Sequence, residues 1–156
     1  MWGAKLYKFL ATILFITAWL AAPNAFAQSP LHTISVNTGN KTAQWTIELA
    51  SDQKSRSKGL MHVKIMAPET GMLFRFETNS PVAMWMKNTF IPLDMVFLSP
   101  SGKINHIHRN AVPQALDIIS SKGAAKFVLE INAGEANSTG LQVGQIMRHP
   151  WFSATQ

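Results

Sequence analysis

The chain has 156 residues, 47% of them hydrophobic, a formal net charge of +6 and no cysteine. The missing cysteines exclude a disulfide-stapled scaffold, so stability must come from a packed core. The basic side chains are scattered (Lys41, Lys54, Arg56, Lys58, Lys64, Arg75, Lys87) rather than gathered into a stripe, which excludes the electrostatic footprint of a nucleic-acid binder.

The first element is a leader. Lys5 and Lys8 precede an unbroken apolar run from Phe9 to Ala22, then Pro23-Asn24, then Ala25-Phe26-Ala27. Charge, apolar stretch and small-residue cleavage site stand in the order of a secretory signal peptide over residues 1–27. The apolar run is shorter than the ~20 residues that span a bilayer, so cleavage near Ala27 is expected, with an uncleaved anchor as the alternative. No cysteine follows for lipid attachment. The expected product, Gln28–Gln156, is one domain's worth of chain that can bury about two thirds of its unfolded surface. Its location would be periplasmic or secreted, and contact with a membrane would come only through an uncleaved N-terminal segment.

Residues 28–44 read as an N-terminal extension carrying a first strand, Thr33–Thr38, joined to Ala43–Ala50 by a turn at Gly39-Asn40. Trp45, Ile47 and Leu49 alternate with Thr46 and Glu48, which gives one buried and one wet face. From Asp52 to Met66 the rhythm is helical, with Asp52 as N-cap and Leu60, Met61 and Val63 on the apolar side; Pro68 ends it. Met72–Phe76, Val82–Asn88, Asp94–Leu98 and Lys103–Arg109 follow as short strands. Asn110–Ala125 is polar and rich in small residues and reads as a long loop that covers a pocket edge. Lys126–Asn132 is the last strong strand, a short helix around Glu135–Thr139 stops at Gly140, and Gly144–His149 is a weaker strand. The tail, 150–156, with Trp151 and the residues after it, is expected to be loosely held. The pattern predicts a mainly β domain: a small β-sandwich or barrel of about eight short strands with one short helix. There is no βαβ alternation, so a doubly wound sheet is not expected.

Four blocks carry a family resemblance: Arg56-x-x-Gly59-Leu60-Met61; Gly71-Met72-Leu73-Phe74; Trp85-Met86-Lys87-Asn88-Thr89 with Pro92-Leu93-Asp94-Met95-Val96-Phe97; and Val128-Leu129-Glu130-Ile131-x-Ala133-Gly134. Over about residues 45–149 the chain resembles the bacterial and archaeal "domain of unknown function 192" family, whose members are small β-sandwich or barrel domains, often exported. The resemblance implies the fold and adds no reaction, cofactor or substrate. Gln145 stands where the family usually has an acid after Gly144.

Candidate site residues come from the oddities in the pattern. Asp94 sits among Leu93, Met95, Val96 and Phe97, and Glu130 between Leu129 and Ile131. A carboxylate among core residues is costly unless it is paired or hydrogen-bonded. Arg56, Lys87 and Asn88 are candidate partners, and alternation puts Trp85 and Lys87 on one strand face. The functional reading is a ligand pocket: Trp85 as apolar wall, Lys87, Asn88, Asp94 and Glu130 as polar contacts, Arg56 in support. The competing reading is a structural ion pair in which Arg56 pins the helix to the sheet. A non-catalytic binding or accessory module for a small polar ligand or an envelope protein is the expectation, with no cofactor and no metal; the balance leans against an enzyme. One alternative is a carboxylate-dependent hydrolase of saccharide or envelope material using Asp94 and Glu130 across a cleft; there is no Cys nucleophile and no G-x-S-x-G elbow. The other is a periplasmic Cu(I) carrier using Met84, Met86 and a histidine. His106-x-His108 could face one side of a strand, and exposed strand histidines are the simpler account.

Overall fold

The computed structural model describes residues 32–39 and 41–153. The leader expected at 1–27, Asn40 of the first turn and the end of the tail lie outside the described residues. Among the described residues the chain forms seven strands and two short helices: β1 (Thr33–Asn37), β2 (Thr42–Ala50), α1 (Gln53–Lys58), β3 (Thr70–Met84), β4 (Leu93–Leu98), β5 (Ile104–Ala111), β6 (Ile119–Asn132), α2 (Glu135–Ser138) and β7 (Met147–Arg148). The strands make one sheet in the order β5-β4-β6-β3-β2-β1-β7. Only β2 and β3 run parallel, and α1 with the loop after it supplies the long crossover that a parallel pair needs. The sheet curls into a half-barrel. Lys103 bridges to Ile146 and Ile104 N–H donates to the Gln145 carbonyl at 2.8 Å, so the two ends of the strand order meet at one corner. The mainly β expectation holds, and no helix among the described residues is long and apolar enough to cross a membrane.

The curl gives the sheet two buried faces. The inner face holds Ile34, Trp45, Ile47, Leu73, Val96, Phe127, Leu129 and Ile131. The outer face holds Met72, Phe74, Met95, Phe97 and Val128, covered by Leu60, Met86 and Ile91 from the connecting segments. Covering both faces buries every residue of β4 and explains its continuous apolar run.

Several boundaries differ from expectation for local reasons. Asp52 does cap α1: its side chain accepts from Ser55 N–H at 2.8 Å and Ser55 Oγ closes the capping box. Those bonds hold the exposed Asp52 carboxyl below its usual range. The helix stops after Lys58, however, because Gly59 turns at φ +46°. Leu60, Val63 and Met66 then dock on the outer face as a loop, so helical spacing here served tertiary burial rather than helix. The two strands expected at 72–76 and 82–88 are one bent strand, β3, which passes Pro81 through irregular register between Arg75 and Ala83; a bulge is where a sheet tolerates proline. The Ser120-Ser121-Lys122-Gly123 stretch expected as loop belongs to β6, paired to the far half of β3, which leaves a loop of only 112–118. The beginning of the tail is held: Phe152 lies 4.9 Å from Phe127, Trp151 stacks on Phe127 at 6.5 Å, and the Arg75 guanidinium sits 4.5 Å over Trp151.

Candidate functional site

The outer face carries a cavity of about 300 Å³ between α1, the turn that follows it, β3 and the segment that begins at Trp85. The sequence folds this way locally because Gly59, with positive φ, lets the chain leave α1 while staying against Phe74; a Cβ there would approach the Phe74 ring to 3.2 Å. β3 ends at Met84, and the chain leaves the sheet at Trp85. Both segments are then free to rise as walls over the strands beneath.

Glu130 forms the floor. On β6 it stands opposite Met95 of β4 and Met72 of β3, while its neighbours Leu129 and Ile131 point to the inner face. It is 4% exposed, and no hydrogen bond or ion pair among the described residues reaches its carboxyl. No sealed side-chain polar atom among the described residues lacks a partner, so the Glu130 oxygens are left to the cavity that the residue lines. Burial alone pushes its pKa up to about 8. At neutral pH it is a carboxylic acid, able both to donate and to accept a hydrogen bond.

Above the floor the walls are mainly apolar, Leu60, Phe74, Phe76 and Met84, with Ser57 and Thr89 as neutral polar residues of the lining. The rim is basic. Lys58 and Lys87 are exposed lining residues, and Lys87 Nζ lies 5.2 Å over the indole of Trp85, which is half exposed. Arg56 also lines the cavity, but its guanidinium is committed. Nη1 donates to the Ser51 and Arg75 carbonyls at 2.9 and 3.0 Å, and Nη2 pairs with Glu77 at 3.4 Å. Arg56 thus ties α1 to β3 and holds the wall in place; the carboxylate it meets is Glu77, not Asp94 or Glu130.

The structure therefore brings together four of the six residues singled out from sequence: Arg56, Trp85, Lys87 and Glu130. Asn88 and Asp94 are elsewhere. Asn88 takes a left-handed turn conformation at φ +57°, and its carbonyl accepts from His62 N–H at 2.8 Å; it shapes the wall without lining the cavity. Asp94 is fully buried on the inner side of the sheet. Its carboxylate accepts from the backbone N–H groups of Asn110 at 2.9 Å, Gly134 at 3.0 Å and Ala136 at 2.9 Å. It fastens β5 and the start of α2 to β4. Neighbouring ladder positions place Asp94 and Glu130 on opposite faces, so they share no cleft and the two-carboxylate hydrolase loses its geometry. Of the copper candidates, Met84 lines the cavity, while Met86 is buried in the outer core at 1% exposure. His106 and His108 lie on β5, where His106 stacks on Phe97 at 5.7 Å. Burial first, then the charges of His108, Lys122 and Arg109, lowers the His106 pKa.

Lys58 and the apolar walls were missed from sequence. Lys58 had a usable signal, since it lies inside the Arg56-x-x-Gly59 block. Phe74 lies inside the Gly71-to-Phe74 block, but neither it nor Phe76 could be told from a core residue, because a core phenylalanine and a wall phenylalanine look alike in a strand pattern.

All four sequence blocks contribute to this one cavity: Arg56 and Leu60, then Phe74, then Trp85 and Lys87, then Glu130. Residues 34–149 match the family model of DUF192, described as uncharacterized ACR, and the chain belongs to that family. Two solved structures are similar to it. One, from Sinorhizobium meliloti 1021, is described as a proposed transcription regulator; it is 43% identical with a TM-score of 0.73, over 75% of this chain and 92% of that one. The other, a protein of unknown function from Novosphingobium aromaticivorans DSM 12444, is 31% identical with a TM-score of 0.72, over 74% of this chain and 83% of that one. No curated protein matches the sequence significantly.

Proposed function

We propose that this domain is an exported, non-catalytic binding module that takes a small polar ligand into the Glu130 cavity. The observation that carries the reading is the buried carboxyl without a protein partner at the bottom of an open, apolar-walled hollow. Its oxygens open into the cavity, where a guest can both donate to and accept from the neutral acid. The volume of about 300 Å³ is at the small end of ligand pockets. Export rests on the leader at 1–27, and the released chain is expected to begin at Gln28, which mass spectrometry of the protein recovered from a cell-envelope fraction would read directly.

A thermal-shift screen of Gln28–Gln156 against sugars, peptidoglycan fragments, amino acids and small organic acids tests the binding. A specific ligand at 100 times its Kd raises stability by about 2.7 kcal/mol. The same ligand should move the indole N–H resonance of Trp85 in a ¹H–¹⁵N spectrum. A screen that shifts neither the melting curve nor that resonance overturns the reading.

A further inference from the structure

The cavity has three chemical layers. Its rim carries two cationic side chains free of carboxylate partners among the described residues, Lys58 and Lys87, its walls are apolar, and its floor is a single carboxyl. We infer that the occupant is a small organic anion, with its charged group held at the Lys58–Lys87 rim, an apolar ring or chain between Phe74, Phe76, Leu60 and Met84, and a neutral hydroxyl or carbonyl hydrogen-bonded to Glu130. This specifies the ligand class for the binding reading above and rests on it.

The charge balance decides between ligand classes. A cationic ligand needs the floor ionised, which burial opposes, and it must pass Lys58 and Lys87 at the mouth. An anion is drawn in by those same side chains and finds a neutral acid below that neither repels it nor needs to be ionised. An uncharged ligand of the same shape leaves the rim unused. Lys58 and Lys87 are exposed and Glu130 is buried, yet all three line the same cavity. A ligand that uses both the rim and the floor must span them.

The groups facing Glu130 from its surroundings are few. α1 and its end present Arg56, already bound to Glu77 and two carbonyls, and Lys58; the segment after β3 presents Lys87. The flanking strands present Met72 and Met95. One strand further out, the outer face carries Glu48 opposite Met72 and His108 opposite Met95. The carboxyl itself is thus the group in the cavity that changes charge in mildly alkaline solution.

Three probes that differ only in charge test the inference: 4-(hydroxymethyl)benzoate, 1,4-benzenedimethanol and 4-(aminomethyl)benzyl alcohol. Binding to Gln28–Gln156 is followed by the Trp85 indole N–H shift. The benzoate is expected to bind at least tenfold tighter than the diol, and the amine weakest. Lys87→Gln should bring the benzoate to within a few-fold of the diol. Benzoate affinity should fall towards tenfold per pH unit above about pH 8 as the floor ionises, and Glu130→Gln should remove that fall. A tightest-binding amine, equal affinity for all three, or a pH profile that Glu130→Gln leaves unchanged overturns the anion assignment while leaving the pocket a binding site. Silence of all three probes in a domain that does bind another guest at Trp85 overturns it as well. Silence towards every compound of the wider screen removes the binding reading itself. Lys87 is exposed, and Glu130→Gln keeps the shape of the side chain, so both variants should keep the native spectrum elsewhere.

Discussion

Two buried acids on adjacent strands have opposite fates. Asp94 and Glu130 lie on the two faces of one sheet, 0% and 4% exposed, and both sit among apolar residues in sequence. Asp94 is saturated by three backbone N–H donors; Glu130 has no protein donor among the described residues and faces a cavity. The inner face of the half-barrel is closed around Asp94, whereas the outer face leaves Glu130 lining an open cavity. Burial of a carboxyl alone says little; the identity of its partners separates a fastener from a cavity floor.

The largest effect that would break this comparison is a pH dependence. Glu130 holds its proton in the folded domain to about pH 8, against an ordinary value of 4.5. Between those values the folded state binds more protons than the unfolded one, so stability is full below about pH 4.5 and falls as pH rises towards 8. The slope is about 1.4 kcal/mol per pH unit, on the order of 5 kcal/mol across the window. Urea unfolding from pH 5 to 9 should therefore show Glu130→Gln overtaking the wild type as pH rises. Parallel curves would mean that Glu130 is partnered or wet.

Asp94→Ala comes next. It strands backbone N–H groups of β5 and of the turn into α2, and should cost about 3 kcal/mol at pH 7, measured by the same unfolding experiment. A loss under about 1 kcal/mol would erase the contrast between the two acids. Gly71→Ala should cost about 2 kcal/mol, because a Cβ there would meet the Glu130 carbonyl oxygen at 2.3 Å and push β6 away from β3 just under the cavity floor. Its signature is a joint loss of stability and of ligand binding. The smallest expected effects belong to the rim: Trp85→Ala and Lys87→Ala remove exposed side chains and should change stability by less than about 0.5 kcal/mol while weakening the ligand. A large stability loss at either position would make the rim part of the core.

Much of the fold was legible in residue patterns. The alternation of Trp45, Ile47 and Leu49, the apolar run 93–98 and the Asp52 cap each predicted their element, because strand pairing and capping are read within a few residues. The errors came where a local signal was overridden at long range. Gly59 cut the helix, Pro81 was absorbed by a bulge, and Ser120–Gly123 became strand because the far half of β3 was there to pair with. Site residues followed the same division. Charged residues in apolar runs marked Asp94 and Glu130 equally, and Trp85 and Lys87 were marked by strand alternation although the strand ends before them.

From the chain alone came the residue classes: a mainly β domain behind a leader-like segment, and a short set of acids, bases and one indole that had to be explained. The tertiary structure decided the assignment of roles, because the face on which a side chain emerges depends on sheet register, and the donors within its reach come from elements distant in sequence. Register put Asp94 beside the backbone of residues 110, 134 and 136. The same register turned Glu130 the other way, under the helix and the segment that leave it uncovered.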